Sequence, residues 1–247
     1  MTVKHDQHMM VDMQAVKRVV EAAAIGPYET VLEIGAGSGI LTRELARHEA
    51  KVIAVEIDKS FEKELRDISN TEVVIGNILE LIDELSFDCV VANIPYAICE
   101  PLMKKLQGRD FRIAVMTVPK KFSETLIRGE NIPGMTARVF FDMEVVAEIS
   151  RESFMPAPKT DSVVMIVRPK KGNELKKEVL KRRGLKVRNA IIRGLFAARK
   201  ATKNQAKEDI NTMKINNNLL EKRLSDASAE ELDTVLHALE QLDDRPL

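Results

Sequence analysis

Apolar residues in the first two thirds of the chain gather into short runs. The runs "TVLEIG" (30–35), "KVIAVEID" (51–58), "TEVVIG" (71–76), "DCVVAN" (88–93) and "RIAVMTV" (112–118) are rich in Val and Ile and predict buried strands. Between them "GILTRELARH", "SFEKELRDIS" and "ICEPLMKKLQ" carry apolar residues at three- and four-residue spacing, the rhythm of helices packed on a sheet. Strands alternating with helices predict an α/β fold, a doubly wound parallel sheet. Two further runs, "EVVAEIS" (144–150) and "SVVMIVRP" (162–169), are joined by a Pro-rich loop and predict an antiparallel pair that closes the sheet. After Pro169 the strand pattern stops and helical periodicity continues to the end. Ser228 followed by Glu231 makes a capping box for a last helix, "AEELDTVLHALEQL". The expected organisation is an α/β domain over residues 1–169 and a small all-helical domain over 170–247.

Composition narrows the class. The chain has 247 residues, 45% apolar and 31% charged, which suits a soluble globular protein. No apolar run approaches the roughly 20 residues that span a bilayer, and "MTVKHDQHMM" lacks the charge and apolar core of a secretory leader. Neither a membrane partner nor export is expected. Cys89 and Cys99 have no metal-ligand spacing and read as reduced thiols of a cytoplasmic protein. His5 and His8 lie three apart with no third ligand in view, so no metal is expected. The net charge of zero hides segregation. Thirteen Lys or Arg stand against two Glu between Lys170 and Lys203, and ten acids against four Lys or Arg follow from Glu208 to the end. Such a basic block suits an anionic partner, or simply a solvated helix face.

"VLEIGAGSGILT" places Gly35, Gly37 and Gly39 after a predicted strand and before a helix, with Glu33 inside the strand end. Glycines there let backbone approach a ligand at a helix N-terminus. Glu56 ends the second strand, where a carboxylate accepts both hydroxyls of an adenosine ribose; a plain surface acid is the alternative. This much fits NAD or S-adenosylmethionine. Asn77, just past the third strand, could accept from an adenine amine. "NIPY", Asn93 to Tyr96, then follows the fourth strand, beside the reactive end of such a cofactor. A dehydrogenase has no use for it, whereas a methyltransferase acting on a planar amine does. The Asn93 side-chain oxygen and the Ile94 carbonyl can accept both N–H atoms and draw the nitrogen toward tetrahedral geometry, freeing its lone pair for attack on a sulfonium methyl. Pro95 fixes the backbone and Tyr96 offers a stacking face.

At these residues the sequence resembles the ribosomal RNA adenine N6-dimethyltransferases of the small subunit, over nearly its whole length. "QHMM" (7–10) corresponds to the opening motif of that family, "EIGAGSGILT" to its glycine motif, Glu56 to its ribose acid and "NIPY" to its catalytic tetrapeptide. "ESFMPAPKTDSVV" (152–164) is similar to its Pro-rich loop and "LFAARKATKNQA" (195–206) to a basic stretch of its helical domain. The resemblance implies a Rossmann-like S-adenosylmethionine methyltransferase sheet, with His8 and Met10 at the cofactor and Phe154 as a second stacking face for the base. Read on its own, Phe154 would be a core aromatic before a turn. Met9 stands where the family has an aromatic, and Asn77 where it usually has Asp. The implied activity is dimethylation of adenine N6 in small-subunit ribosomal RNA or a pre-ribosomal particle, by a monomer whose basic block (Arg182, Arg183 and Lys186 within it) grips phosphates. Two other readings stay open: a methyltransferase with a protein or small-molecule acceptor, and a non-catalytic RNA-binding assembly or transcription factor.

Overall fold

The computed structural model describes residues 8–48 and 50–243, so His5 and Gln7 lie outside the described residues. In chain order the strands are β1 (Met9–Met10), β2 (Thr30–Ile34), β3 (Lys51–Glu56), β4 (Thr71–Ile75), β5 (Cys89–Asn93), β6 (Ile113–Pro119), β7 (Phe141–Ile149), β8 (Phe154–Met155) and β9 (Ser162–Pro169). The helices α1 to α7 are Met13–Ala23, Ile40–Leu45, Glu62–Arg66, Ile78–Leu81, Cys99–Leu106, Lys120–Arg128 and Ile132–Phe140. The later five, α8 to α12, are Glu174–Leu180, Val187–Arg199, Lys203–Thr212, Asn217–Glu221 and Ala229–Asp243.

All seven apolar runs enter one sheet of order β4-β3-β2-β5-β6-β9-β7. Neighbours from β4 to β6 are parallel; β9 runs antiparallel to both β6 and β7, as the last two runs predicted. The inner strands β2, β3, β5, β6 and β9 are buried almost continuously and lack polar alternation, as strands covered on both faces do, whereas the edge strand β7 is largely exposed. Val31, Leu32, Val90, Val91, Val115 and Val164 are wholly buried. Roughly 1.5–3 kcal/mol per fully buried aliphatic side chain makes this packing the main stabilising term.

Strand order reverses between β2 and β5. The chain builds β3 and β4 on one side of β2, then crosses to build β5 and β6 on the other. Loops leaving β2 and β5 therefore diverge, and the crevice at their ends is where such sheets bind ligands. Because β9 is antiparallel, its first residue, Ser162, opposite Pro119, comes to this same edge, as does Thr117 opposite Asn93.

The N-terminal elements lie outside the predicted pattern. Asp12 caps α1, its carboxylate accepting from the Gln14 amide. Before it, β1 pairs antiparallel with β8, Met10 opposite Phe154 and Met9 opposite Met155. Met9 and Met10 thus belong to a strand, and Met13 opens α1 with its side chain exposed.

The chain forms two compact units, Met1–Ile127 with Phe141–Pro169, and Arg128–Phe140 with Lys170–Leu247. The second is all helical, and α7 groups with it although it precedes β7 in the chain. Gly194 in α9 marks a close crossing, since a Cβ there would lie 2.6 Å from the Val179 methyl on α8. The capping box of α12 is present, the Glu231 amide donating to the Ser228 hydroxyl and the Ser228 amide to the Glu231 carboxylate. No helix among the described residues is long and apolar enough to cross a membrane.

Candidate active site

The glycine loop leaves β2 with Gly35 at φ +74° and Gly37 at φ +51°, conformations that side chains with a Cβ adopt at a cost. A Cβ on Gly35 would sit 3.6 Å from the Asn93 carbonyl oxygen and 3.7 Å from the Pro95 ring; one on Gly37 would lie 3.9 Å from the Met9 methyl. The loop is thus bordered by NIPY on one side and by the N-terminal strap on the other.

Glu56 is buried at the end of β3, and both its carboxylate oxygens are engaged. One accepts from the Gly37 amide at 2.7 Å and the other from the Asp58 amide at 2.9 Å. The acid expected to read a ribose therefore also pins the glycine loop. A carboxylate has about four lone-pair positions, so it retains capacity for hydroxyl donors. Glu33 is 1% exposed at the base of the loop, and neither of its oxygens makes a hydrogen bond although Thr42 stands beside it. Burial pushes its pKa up to about 8; Thr42 opposes the shift and the neighbouring Glu56 charge adds to it.

Asn77 caps α4. Its side-chain oxygen accepts from the Leu79 amide at 3.1 Å and its nitrogen donates to Glu80 at 3.0 Å. The oxygen expected to meet an adenine amine is thus already serving a helix end.

Asn93 closes β5 half-buried, and its Nδ2 donates to the His8 carbonyl at 2.8 Å. That bond fixes which way the amide points: with the nitrogen committed, Oδ1 is the acceptor end. The Ile94 amide donates to the Thr117 carbonyl, and Ile94 is buried. Pro95 leads into a one-turn 3-10 helix, Tyr96–Ile98, whose Ile98 amide returns to the Pro95 carbonyl. The Tyr96 hydroxyl shares a hydrogen bond of 2.8 Å with Ser162 Oγ, and its ring lies 5.4 Å from the His8 ring. His8 Nδ1 donates to the Pro156 carbonyl at 2.7 Å, which makes Nδ1 the protonated nitrogen.

Two residues that the resemblance brings to the site have side chains in the core. Met10 and Phe154, opposite each other across β1 and β8, are both 3% exposed and join the main hydrophobic cluster. Side chains directly opposite in an antiparallel pair share a face, and here that face is turned inward. The next pair shows the other face, with Met155 66% exposed. In this structure the Phe154 ring is covered and offers no stacking face, and Met10 could meet a ligand only through its backbone. The sequence pattern missed Ser162, which carries no local signal because it meets Tyr96 across 66 positions of the chain. His8, which the resemblance puts at the cofactor, holds Asn93 through its carbonyl.

The residues suit a cationic adenosine derivative: an orphaned buried carboxyl, a glycine cradle whose positive φ angles disfavour a Cβ, and an acid at the loop. Together with a doubly wound sheet whose switch point abuts Asn-Ile-Pro-Tyr, they define an S-adenosylmethionine-dependent methyltransferase. Comparison narrows the class further. Residues 2–236 match the model of the ribosomal RNA adenine dimethylase family, and the chain belongs to that family. It is 32% identical to a probable ribosomal RNA small subunit methyltransferase A of Methanosarcina mazei, over 97% of this chain and 93% of the relative. It is 34% identical to an rRNA adenine N-6-methyltransferase of Bacillus licheniformis, over 85% of this chain and 78% of that one. A solved dimethyladenosine transferase from Plasmodium falciparum superposes with a TM-score of 0.65 at 26% identity, covering 95% of this chain and 98% of the other. Among the described residues no group of His, Cys, Asp or Glu could hold a metal ion.

The helical unit refines the expectation about its basic block. Arg182 pairs with Glu178 at 2.6 Å, and Lys186 and Arg188 both pair with Glu221. Arg183 donates to the Thr136 hydroxyl at 3.5 Å. By contrast Arg193, Lys200, Lys203 and Lys207 are exposed and form no ion pair among the described residues. They follow α9 into α10, with the half-exposed Phe196 ring between the first two. Arg182 and Lys186 are spent on carboxylates, whereas these four cations face water.

The raised pKa of Glu33 gives a stability signature with a definite sign. Unfolded, the group loses its proton near 4.5; folded, it holds the proton to about 8. Between those values the native state binds more protons, so stability falls as pH rises, by up to about 1.4 kcal/mol per pH unit. Glu33→Gln should flatten that slope relative to the wild type in denaturant melts of cofactor-free protein. Equal slopes would mean that Glu33 ionises normally in the fold.

Proposed function

We propose that this protein transfers methyl groups from S-adenosylmethionine to adenine N6 in small-subunit ribosomal RNA, two to each base, working as a monomer in the cytoplasm. The observation that carries this reading is the bond from Asn93 Nδ2 to the His8 carbonyl, which presents an acceptor oxygen beside the glycine loop. An enzyme acting on an exocyclic amine needs an acceptor there.

When bound, S-adenosylmethionine supplies an electrophilic methyl on a sulfonium. The chain's own residues do the rest. Gly35 and Gly37 let the chain's backbone approach the cofactor closely, Glu56 takes the ribose hydroxyls, and Asn77 meets the adenine edge while capping α4. Glu33, orphaned when neutral, gains a reason to ionise beside a cation. His8 holds Asn93 from the strap, so Asn93 Oδ1 and the Ile94 carbonyl accept the two N–H atoms of the target amine. Both contacts strengthen as the nitrogen becomes tetrahedral, which lowers the barrier rather than merely binding substrate. The base leaves its stack to reach this edge and lies on Tyr96. Pro95 keeps the intervening backbone rigid.

A second reading, adenine N6 of large-subunit ribosomal RNA, would use the same Asn93 and Ile94 acceptors. Mass spectrometry of nucleosides from cells lacking this protein separates the two. Loss of N6,N6-dimethyladenosine from small-subunit RNA alone is expected. Loss confined to the large subunit would move the substrate, and no loss in either would turn the assignment toward another acceptor.

Affinity for RNA should rest on the exposed cations of α9 and α10. Replacing Arg193, Lys200, Lys203 and Lys207 by Gln should weaken RNA binding and reduce its salt slope by up to about one unit for each phosphate left without its cation. Cofactor affinity should not change. The same treatment of Arg182 and Lys186 should do less, and a larger effect there would assign the RNA surface to the paired cations instead.

A further inference from the structure

We propose that Ser162 is a positioning residue of the active site, one whose hydroxyl holds the Tyr96 ring where the target base must stack. The proposal rests on the reading that Tyr96 stacks that base. Ser162 is wholly buried, yet its side chain is polar, and its Oγ lies 2.8 Å from the Tyr96 hydroxyl. The topology explains how a residue 66 positions away arrives there. An antiparallel β9 between β6 and β7 brings its first residue to the edge where the parallel strands end. Main-chain pairing with Pro119 on one side and Ile149 on the other then fixes that residue in place.

The tether matters because Tyr96 follows the end of β5 after only Ile94 and Pro95 and sits in a one-turn 3-10 helix, too short to immobilise an aromatic side chain unaided. Its hydroxyl is anchored to a sheet residue, and its ring centroid lies 5.4 Å from that of His8, the two rings tilted by 40°. His8 in turn is held by the Pro156 carbonyl and holds Asn93. Strap, clamp and β9 thus converge on one ring. A ring fixed in this way receives the base without first losing torsional freedom, which is the gain of preorganisation.

The chain holds two tyrosines and no tryptophan, so ring-labelled tyrosine gives two NMR signals in the full-length protein. Tyr28, 86% exposed, serves as the internal control. Ser162→Ala should shift the Tyr96 signal and leave that of Tyr28 in place, with S-adenosylmethionine affinity unchanged. Single-turnover methylation should slow by about 3- to 10-fold, the scale of one hydrogen bond. Tyr96→Phe should slow it at least as much, and the double variant no further than Tyr96→Phe alone, because the Ser162 hydroxyl acts through that of Tyr96. A Tyr96 signal that does not move would overturn the contact. A wild-type rate in Ser162→Ala alongside a slow Tyr96→Ala, or reductions that multiply in the double variant, would overturn the positioning role. A wild-type rate in Tyr96→Ala would instead sink the stacking reading and the proposal with it, and the NMR shift would still report whether the bond exists.

Discussion

Laying β3 and β4 on one side of β2, and β5 and β6 on the other, forces the loops after β2 and β5 to part. A crevice must open where they part, and the residues at its mouth are fixed by register rather than by loop conformation. Ile34 pairs with Ala92, so Gly35 and Asn93 leave the sheet side by side. Neither bears a large side chain over the gap, and the Asn93 carbonyl lies 3.6 Å from where a Cβ on Gly35 would stand. The placement of the glycine loop against the NIPY tetrapeptide follows from how the apolar strands are ordered.

Topology brings these groups together but does not orient them. An asparagine amide donates from one end and accepts at the other, and an unheld one presents either. Here the strap decides. The β1–β8 pair lies beside NIPY, the Ser153 hydroxyl donates to the Asp12 cap, and the His8 carbonyl takes the Asn93 nitrogen. Glu56 works in a similar way at the other side, holding the Gly37 amide with a group that also serves as a candidate ribose ligand. Orientation and recognition are carried by the same few polar atoms, so these residues cannot be sorted cleanly into structural and functional.

How much of this was legible in the sequence depended on the range of the interaction. The runs that became β2 to β6 could be read because a strand covered on both faces shows its burial locally, and the turn chemistry of the glycine loop and NIPY is local too. The strap was not legible, since two-residue strands leave no periodicity. The burial of the Met10 and Phe154 side chains was not legible for the same reason: only their pairing shows that both turn inward. Ser162 could be placed at the site only once β9 was known to run between β6 and β7. In the helical unit, composition located the basic block, but which cations are free depends on carboxylates such as Glu221, far along the chain from Lys186.

The central claim is that Asn93 acts on the amine as it becomes tetrahedral, not on the RNA as it binds. Single-turnover methyl transfer to small-subunit particles lacking the modification, compared between the wild type and Asn93→Ala, tests this most directly. The account predicts a rate lower by about 10²–10³-fold, the scale of one preorganised polar contact, with RNA affinity nearly unchanged. A wild-type rate in the variant, or a slower rate explained wholly by weaker RNA binding, would contradict it.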